Sequence, residues 1–141
     1  MKKFEYFDHT ADTLFRAYGK DFTEALSNAI LAVYNVIVET DTVKSLVEKS
    51  FIVSAKKKET LIYDLFEELL FLLDVESFLC HEVVSLEVLE ESDGFTAHVK
   101  LKGDCARPEY DVFGQIKAPT YNEMLIGEEK GVVFIQAVLD L

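Results

Sequence analysis

The sequence has 141 residues, of which half are apolar and 11 are phenylalanine. A chain of this length fits one domain and can bury roughly two thirds of the surface that it exposes when unfolded. Its 26 acidic and 14 basic residues give a net charge of -12. Because cations supply most of the affinity for nucleic acids, this charge argues against strong direct binding to RNA or DNA. It favours a divalent cation or a basic protein as partner.

The apolar runs and the first residues bear on the compartment. Every apolar run is far shorter than the roughly 20 residues that cross a bilayer. Lys2-Lys3 is followed by Glu5 and Asp8, where a signal peptide would have its apolar segment. Cys80 and Cys105 are too few for a disulfide framework, and the adjacent pair Cys80-His81 lacks the spacing of two ligands to one zinc ion. We expect a soluble cytoplasmic protein that does not bind membranes.

Two segments have the apolar spacing of amphipathic helices. The first follows Asp21, and Glu24 three residues later completes a capping-box signature. Its apolar positions repeat at three and four over residues 22–37. The second helix is predicted over residues 59–77 and is apolar over so wide an arc that it is either covered on most sides or offers a docking surface. For a compact domain the first interpretation is favoured.

The remaining segments predict strands. The turn at Asp93-Gly94 indicates a hairpin, and a turn is expected over residues 127–131. The last strand is apolar on both faces apart from Gln136, as expected of a strand in the middle of a sheet. The predicted strands cover residues 4–7, 13–18, 51–55, 83–90, 95–102, 115–118, 121–126 and 132–139. This order predicts an α+β fold in a single domain, with two helices packed on a largely antiparallel β-sheet.

The stretch Asp8-His9-Thr10-Ala11-Asp12 places two carboxylates and an imidazole in one turn between two strands. Asp140 and the terminal carboxylate of Leu141 are its most plausible partners. If the last strand pairs beside the strand that begins at Asp12, three carboxylates meet, and their repulsion would favour a hard cation such as Ca²⁺ or Mg²⁺ between them. The alternative is that Asp12 caps the turn and the end of the chain lies in solvent.

Two further side chains are candidates for chemistry. His9 could act as a general base or a metal ligand because imidazole titrates near neutral pH, or it could organise the loop through hydrogen bonds to the backbone. Lys117 is an isolated cation that could contact a phosphate or an acidic group of a partner, or it could be an ordinary surface ammonium. No glycine-rich phosphate loop and no recognisable Ser or Cys nucleophile is present, which disfavours a nucleotide-binding enzyme and a catalytic triad.

Several stretches together resemble the archease family. The similarity spans the whole length, so that residues 1–141 are expected to form one archease-like domain. The stretches that carry it are residues 4–12, 16–19 with Glu24-Ala25, 116–121 and 138–141.

The resemblance implies a non-enzymatic protein that activates an RtcB-type RNA ligase of tRNA splicing and RNA repair. Archeases promote guanylylation of the ligase's active-site histidine and multiple turnover. The resemblance also implies a metal site, described in the family with calcium. The residues implicated are Asp12, Asp140 and Leu141 for the metal, and Lys117, His9 and Asp8 for activation of the ligase.

Two positions depart from the family pattern. Asn122 follows Tyr121 where relatives commonly have histidine, and no histidine occurs around Arg107-Pro108, where relatives often carry one. Roles that depend on those imidazoles therefore do not carry over to this chain. Two other functions stay open: a small metal-dependent hydrolase that uses His9 and the Asp cluster, and a chaperone-like module that binds through the apolar face of the second helix.

Overall fold

Eight strands and two α-helices make up most of residues 1–9 and 11–141, which are the residues that this computed structural model describes. Thr10, in the middle of the predicted turn at residues 8–12, lies outside them. A short 3-10 helix, Thr40–Thr42, follows the first α-helix. The helices are α1 (Phe22–Asn35) and α2 (Lys58–Glu76), and the strands are β1 (Phe4–Phe7), β2 (Asp12–Gly19), β3 (Val47–Ala55), β4 (Phe78–Glu91), β5 (Gly94–Cys105), β6 (Ala118–Pro119), β7 (Leu125–Glu129) and β8 (Val132–Asp140).

The described strands form two antiparallel sheets. One sheet has five strands in the order β1-β2-β8-β6, with β7 also pairing with β8, and the other has the order β3-β5-β4. The predicted α+β class and the central position of the last strand are confirmed. The strands divide between two sheets, whereas a single sheet was predicted.

The first helix begins as its sequence predicts. The Asp21 carboxylate accepts a hydrogen bond from the Glu24 backbone N–H at 2.8 Å, and the Glu24 side chain accepts one from the Lys20 N–H at 2.9 Å. These bonds satisfy amide groups that have no partner within the helix. The helix ends at Asn35, two residues before the predicted end, because the chain tightens there and the Ile37 N–H donates to the Tyr34 carbonyl.

The apolar face of the second helix is covered, as favoured from the sequence. Phe71 and Val75 are the large apolar side chains of α2 that stay exposed, at 51% and 66%. A chaperone-like function through this face therefore loses most of the surface that it would need. The buried residues of α2 are Leu61, Ile62, Leu65, Phe66, Leu69, Leu70 and Leu72.

The C-terminal strands differ from the prediction. Only Ala118–Pro119 of the predicted strand 115–118 pairs with β8, and β7 begins at Leu125 and continues to Glu129. The hairpin turn is therefore the pair Lys130-Gly131, both with positive φ (53° and 79°), as in a type I′ turn. Gly127 is a strand residue and not part of a turn. A Cβ on it would lie 2.5 Å from the Phe134 ring opposite, so glycine leaves room for that ring.

The core joins both sheets and both helices. The ring centroids of Phe15 on β2 and Phe66 on α2 are 6.2 Å apart, and those of Tyr34 and Phe78 are also 6.2 Å apart in an edge-on arrangement. The Tyr34 hydroxyl donates to the Leu69 carbonyl at 3.2 Å, which satisfies the polar end of a buried ring. No helix among the described residues is long and apolar enough to span a bilayer.

Candidate functional site

The pairing of the second and last strands brings the two ends of the sequence together. In the register of β2 with β8, Asp12 is directly opposite Asp140 and Thr13 is opposite Leu139. Side chains that are directly opposite in an antiparallel pair project from the same face of the sheet, with Cβ atoms about 4.5–5.5 Å apart. The two carboxylates therefore lie side by side. The sequence analysis made this conditional on the last strand pairing with the strand that begins at Asp12, and the two strands do pair.

Lys117 lies at the same end of the sheet. Ala118 is opposite Asp140 on the other side of β8, and the Lys117 backbone N–H donates to the Asp140 carbonyl at 2.8 Å. The Lys117 side chain is exposed. An ammonium group is thus available to a partner beside the end of β8.

A groove of about 480 Å³ opens at this end of the five-stranded sheet. Asp8, His9, Asp12 and Leu141 line it, together with apolar and polar side chains that include Tyr6, Phe7 and Phe113. We call the six predicted residues the sheet-end cluster: Asp8, His9, Asp12, Lys117, Asp140 and Leu141. The structure brings all six to one sheet end, four of them into the groove.

His9 lies between two carboxylates. Its Nδ1 is 3.8 Å from Asp12 Oδ2, and its Nε2 is 2.8 Å from Glu123 Oε2. The side chains of His9 and Asp12 are about one quarter exposed. Sequence reasoning missed Glu123, because 114 positions separate it from His9 and no local spacing links the two.

The donor chemistry of the cluster suits a hard cation, since the carboxylates supply oxygen ligands. Among the residues that the structure describes, however, no group of three or more His, Cys, Asp or Glu side chains is arranged so that it could hold a metal ion. A cation here would have to use the paired side chains of Asp12 and Asp140 with oxygens of the main chain. The terminal carboxylate of Leu141, which the sequence analysis named beside Asp140, is the candidate third donor.

The segment around Arg107-Pro108 forms an internal ion pair. The Arg107 guanidinium donates to both oxygens of the fully buried Asp104 carboxylate, at 2.8 and 3.2 Å, and the Tyr110 hydroxyl donates to it at 2.6 Å. These hydrogen bonds, that of Arg107 first, hold the pKa of Asp104 below its usual value. Arg107 thus serves an internal ion pair.

Cys80 and His81, the adjacent Cys-His pair, each have their own contacts within the fold. Cys80 is buried, and burial raises the pKa of its thiol to about 12, which keeps it protonated at neutral pH. His81 Nδ1 forms a hydrogen bond with the Thr40 carbonyl at 2.9 Å. Cys80 and His81 are thus both engaged in contacts within the fold.

The fold and the cluster together define a class: a small α+β protein whose paired carboxylates, imidazole and exposed lysine meet at one end of a sheet. The model of the family described as "Archease protein family (MTH1598/TM1083)" matches residues 4–141. The chain belongs to the archease family.

Curated relatives carry the same name. The chain is 34% identical to protein archease of Methanosarcina mazei over 141 residues, covering 99% of this chain and 97% of that protein. It is 33% identical to protein archease of Methanothermobacter thermautotrophicus, with both chains covered in full.

Solved structures show the same fold. The solution structure of Methanobacterium thermoautotrophicum protein 1598 superposes with a TM-score of 0.86 at 32% identity, and both chains are covered completely. The crystal structure of a Thermotoga maritima protein described as an archease and possible chaperone gives a TM-score of 0.56 at 18% identity, covering 96% of this chain and 94% of that one. The second similarity concerns the fold alone.

Proposed function

We propose that this protein activates an RtcB-type RNA ligase in tRNA splicing and RNA repair, by promoting guanylylation of the ligase and its repeated turnover. In this proposal it joins no RNA itself. The observation that supports the proposal most directly is the register of β2 with β8, in which Asp12 is opposite Asp140. Leu141 follows Asp140, and Lys117 is bonded through its backbone to the same residue.

The charge of the chain supports a protein partner that handles RNA. A net charge of -12 repels bare phosphate backbones but attracts a basic active-site entrance. Asp8 and Asp12 line a groove that is open to such a surface. The protein would therefore approach the ligase without competing strongly for its RNA.

The roles of the cluster follow from its chemistry. Asp12, Asp140 and the carboxylate of Leu141 would hold a divalent cation, for which we propose calcium, and this cation would supply positive charge to the phosphates during nucleotidyl transfer. The Lys117 ammonium would neutralise a phosphate or an acidic group of the ligase. Asp8 adds negative charge to the groove, and His9 adjoins Asp12.

Guanylylation of the ligase, measured with and without this protein, tests the proposal. We expect Asp12→Asn and Asp140→Asn each to reduce the stimulation by about 10²-fold, as for the loss of one electrostatic stabiliser of a transition state. Asp93→Asn is the matched control, because it removes the same charge from an exposed turn at the other sheet. Full stimulation by both cluster variants would end the proposal.

A second candidate function is favoured by the position of His9 between two carboxylates, an arrangement that also occurs around general bases. In that case the isolated protein would hydrolyse phosphate esters in the presence of divalent metals, and His9→Gln would abolish the turnover. An activator of the ligase should be inert in this assay. Binding of client proteins that survives loss of both Asp12 and Asp140 would instead favour a chaperone-like module.

A further inference from the structure

The contact between His9 and Glu123 adds a residue to this site. We infer that Glu123 is a positioning residue, whose carboxylate fixes the His9 imidazole so that Nδ1 faces Asp12. The consequence for ligase activation rests on the function proposed above. The orientation of the ring is a property of the protein alone.

The direction of the hydrogen bond follows from the chemistry of its two ends. An ionised carboxylate only accepts hydrogen bonds, so His9 Nε2 must carry the hydrogen in the 2.8 Å contact with Glu123. In the neutral imidazole the lone pair then resides on Nδ1. That atom is the one that lies 3.8 Å from Asp12 Oδ2. A nitrogen lone pair and a carboxylate oxygen therefore lie side by side at the groove.

The segment that carries Glu123 is held firmly. Residues 120–124 connect β6 and β7, which pair with the same strand, β8. The Gln136 side-chain amide donates to the Glu123 carbonyl at 2.8 Å, and the Thr120 hydroxyl donates to the Val138 carbonyl at 2.9 Å. Tyr121 stacks on Tyr63 of α2, with ring centroids 4.4 Å apart and planes within 7°.

The backbone at Glu123 indicates that its placement has a cost. Its φ of 54° lies in the left-handed region, which is sterically unfavourable for a residue with a Cβ. Such conformations persist when the surroundings hold them, and they concentrate at functional sites. Because β8 lies between β2 and the 120–124 segment, the His9–Glu123 contact spans the strand that ends in Asp140.

A carboxylate that binds the far nitrogen of an imidazole fixes the tautomer and orientation of the ring. We therefore expect Glu123→Ala to free the His9 ring, so that its Nδ1 is no longer held towards Asp12. Glu123→Gln should stay close to the wild type, because its amide oxygen also accepts from Nε2–H.

Nitrogen NMR of ¹⁵N-histidine-labelled protein tests the orientation directly. In mildly alkaline solution, where imidazole is neutral, His9 should show the Nε2–H tautomer alone, with its signals identified by their loss in His9→Gln. Glu123→Ala should give a mixture of tautomers, whereas Glu123→Gln should retain the Nε2–H form. Glu128→Ala is the matched control, because it removes an exposed carboxylate from the neighbouring strand.

The outcomes separate this inference from the proposed function. A mixed or Nδ1–H tautomer in the wild type, or an unchanged tautomer in Glu123→Ala, overturns the role of Glu123. If the wild-type protein neither binds calcium nor stimulates the ligase, the proposed function fails, and the tautomer still decides the inference. Thermal unfolding of each variant, with Glu123→Gln as the conservative change, shows whether Glu123→Ala merely unfolds the loop.

Discussion

The two sheets of this protein are built in different ways. The three-stranded sheet uses one continuous part of the chain, from Val47 to Cys105, and its longest pairing is the hairpin of β4 and β5. The five-stranded sheet joins residues 4–19 to residues 118–140. This second sheet brings charged residues from both the first and the last parts of the chain, Asp12 and Asp140, to one end. The candidate site therefore lies where the chain closes on itself.

Backbone strain follows the same division. Among the described residues, four that are not glycine have positive φ: Ala11, Ser77, Glu123 and Lys130. Ser77 ends α2, and Lys130 belongs to a hairpin turn, so both have ordinary structural reasons. Ala11 and Glu123 instead flank the contact between His9 and its carboxylates. The five-stranded sheet thus carries left-handed backbone at the end where the candidate site lies.

The largest expected effect is loss of the core beneath the five-stranded sheet. Phe15→Ala removes a fully buried ring that packs against Phe66, and we expect it to lower the free energy of unfolding by about 3–5 kcal/mol. Ile52→Ala on the outer face of the three-stranded sheet, where the side chain is 63% exposed, should change it by less than about 0.5 kcal/mol. Urea denaturation measures both, and equal losses would contradict the comparison.

An intermediate effect on stability is expected from loss of the Asp104 carboxylate, at the end of the three-stranded sheet. The hydrogen bonds from Arg107 and Tyr110 lower the pKa of Asp104. The ionised Asp104 therefore stabilises the fold at any pH above 3.8, the usual pKa of an aspartate. This contribution is lost as the pH falls from that value through the lowered pKa of the folded state.

Asp104→Asn should therefore lower stability at neutral pH and remove this part of the acid dependence. Urea denaturation at neutral pH and at about pH 3 measures the difference. The exposed Asp93→Asn should leave the acid dependence of the wild type in place. An Asp104→Asn protein as stable as the wild type at neutral pH would show that the buried network has no net effect.

The smallest effect on stability is expected from relieving the positive φ of Ala11. Ala11→Gly allows the φ of 65° without a Cβ, and we expect a gain of about 0.5–1 kcal/mol in the free energy of unfolding. Ser77→Gly, at the end of α2, should give a similar gain. If the protein activates the ligase as proposed, only Ala11→Gly should alter guanylylation of the ligase, because Ala11 precedes Asp12 in the chain. A loss of stability in Ala11→Gly, seen by thermal unfolding, would indicate that the turn needs the alanine.

Local signals were read correctly from the sequence because their partners are a few residues apart. The Asp21/Glu24 cap starts α1, and the Asp93-Gly94 turn joins β4 to β5. The alternation along β5 buries Ala97, Val99 and Leu101. Strand lengths were underestimated. Pairing with a neighbour extended β3 and β5 into mostly polar or glycine positions with little strand preference of their own, and it extended β4 back through the buried residues Phe78, Leu79 and Cys80.

Part of the candidate site was also predictable. The apolar character of β8 on both faces indicates a central strand, and a central last strand places Asp140 near the start of another strand. The irregular segment before β7 offered no such pattern, so the strand predicted at residues 115–118 is mostly wrong. Glu123 became visible only through its contact with His9.

The sequence by itself determined the two helices, the main hairpin, the class of the fold and the types of residue available for chemistry. Only the tertiary structure decided how the strands divide between two sheets, that Asp12 is opposite Asp140, and that Glu123 reaches His9. The reason is physical: helix caps and turns depend on bonds between neighbours in the chain. Strand order and side-chain contacts depend on which distant segments bury their apolar faces together.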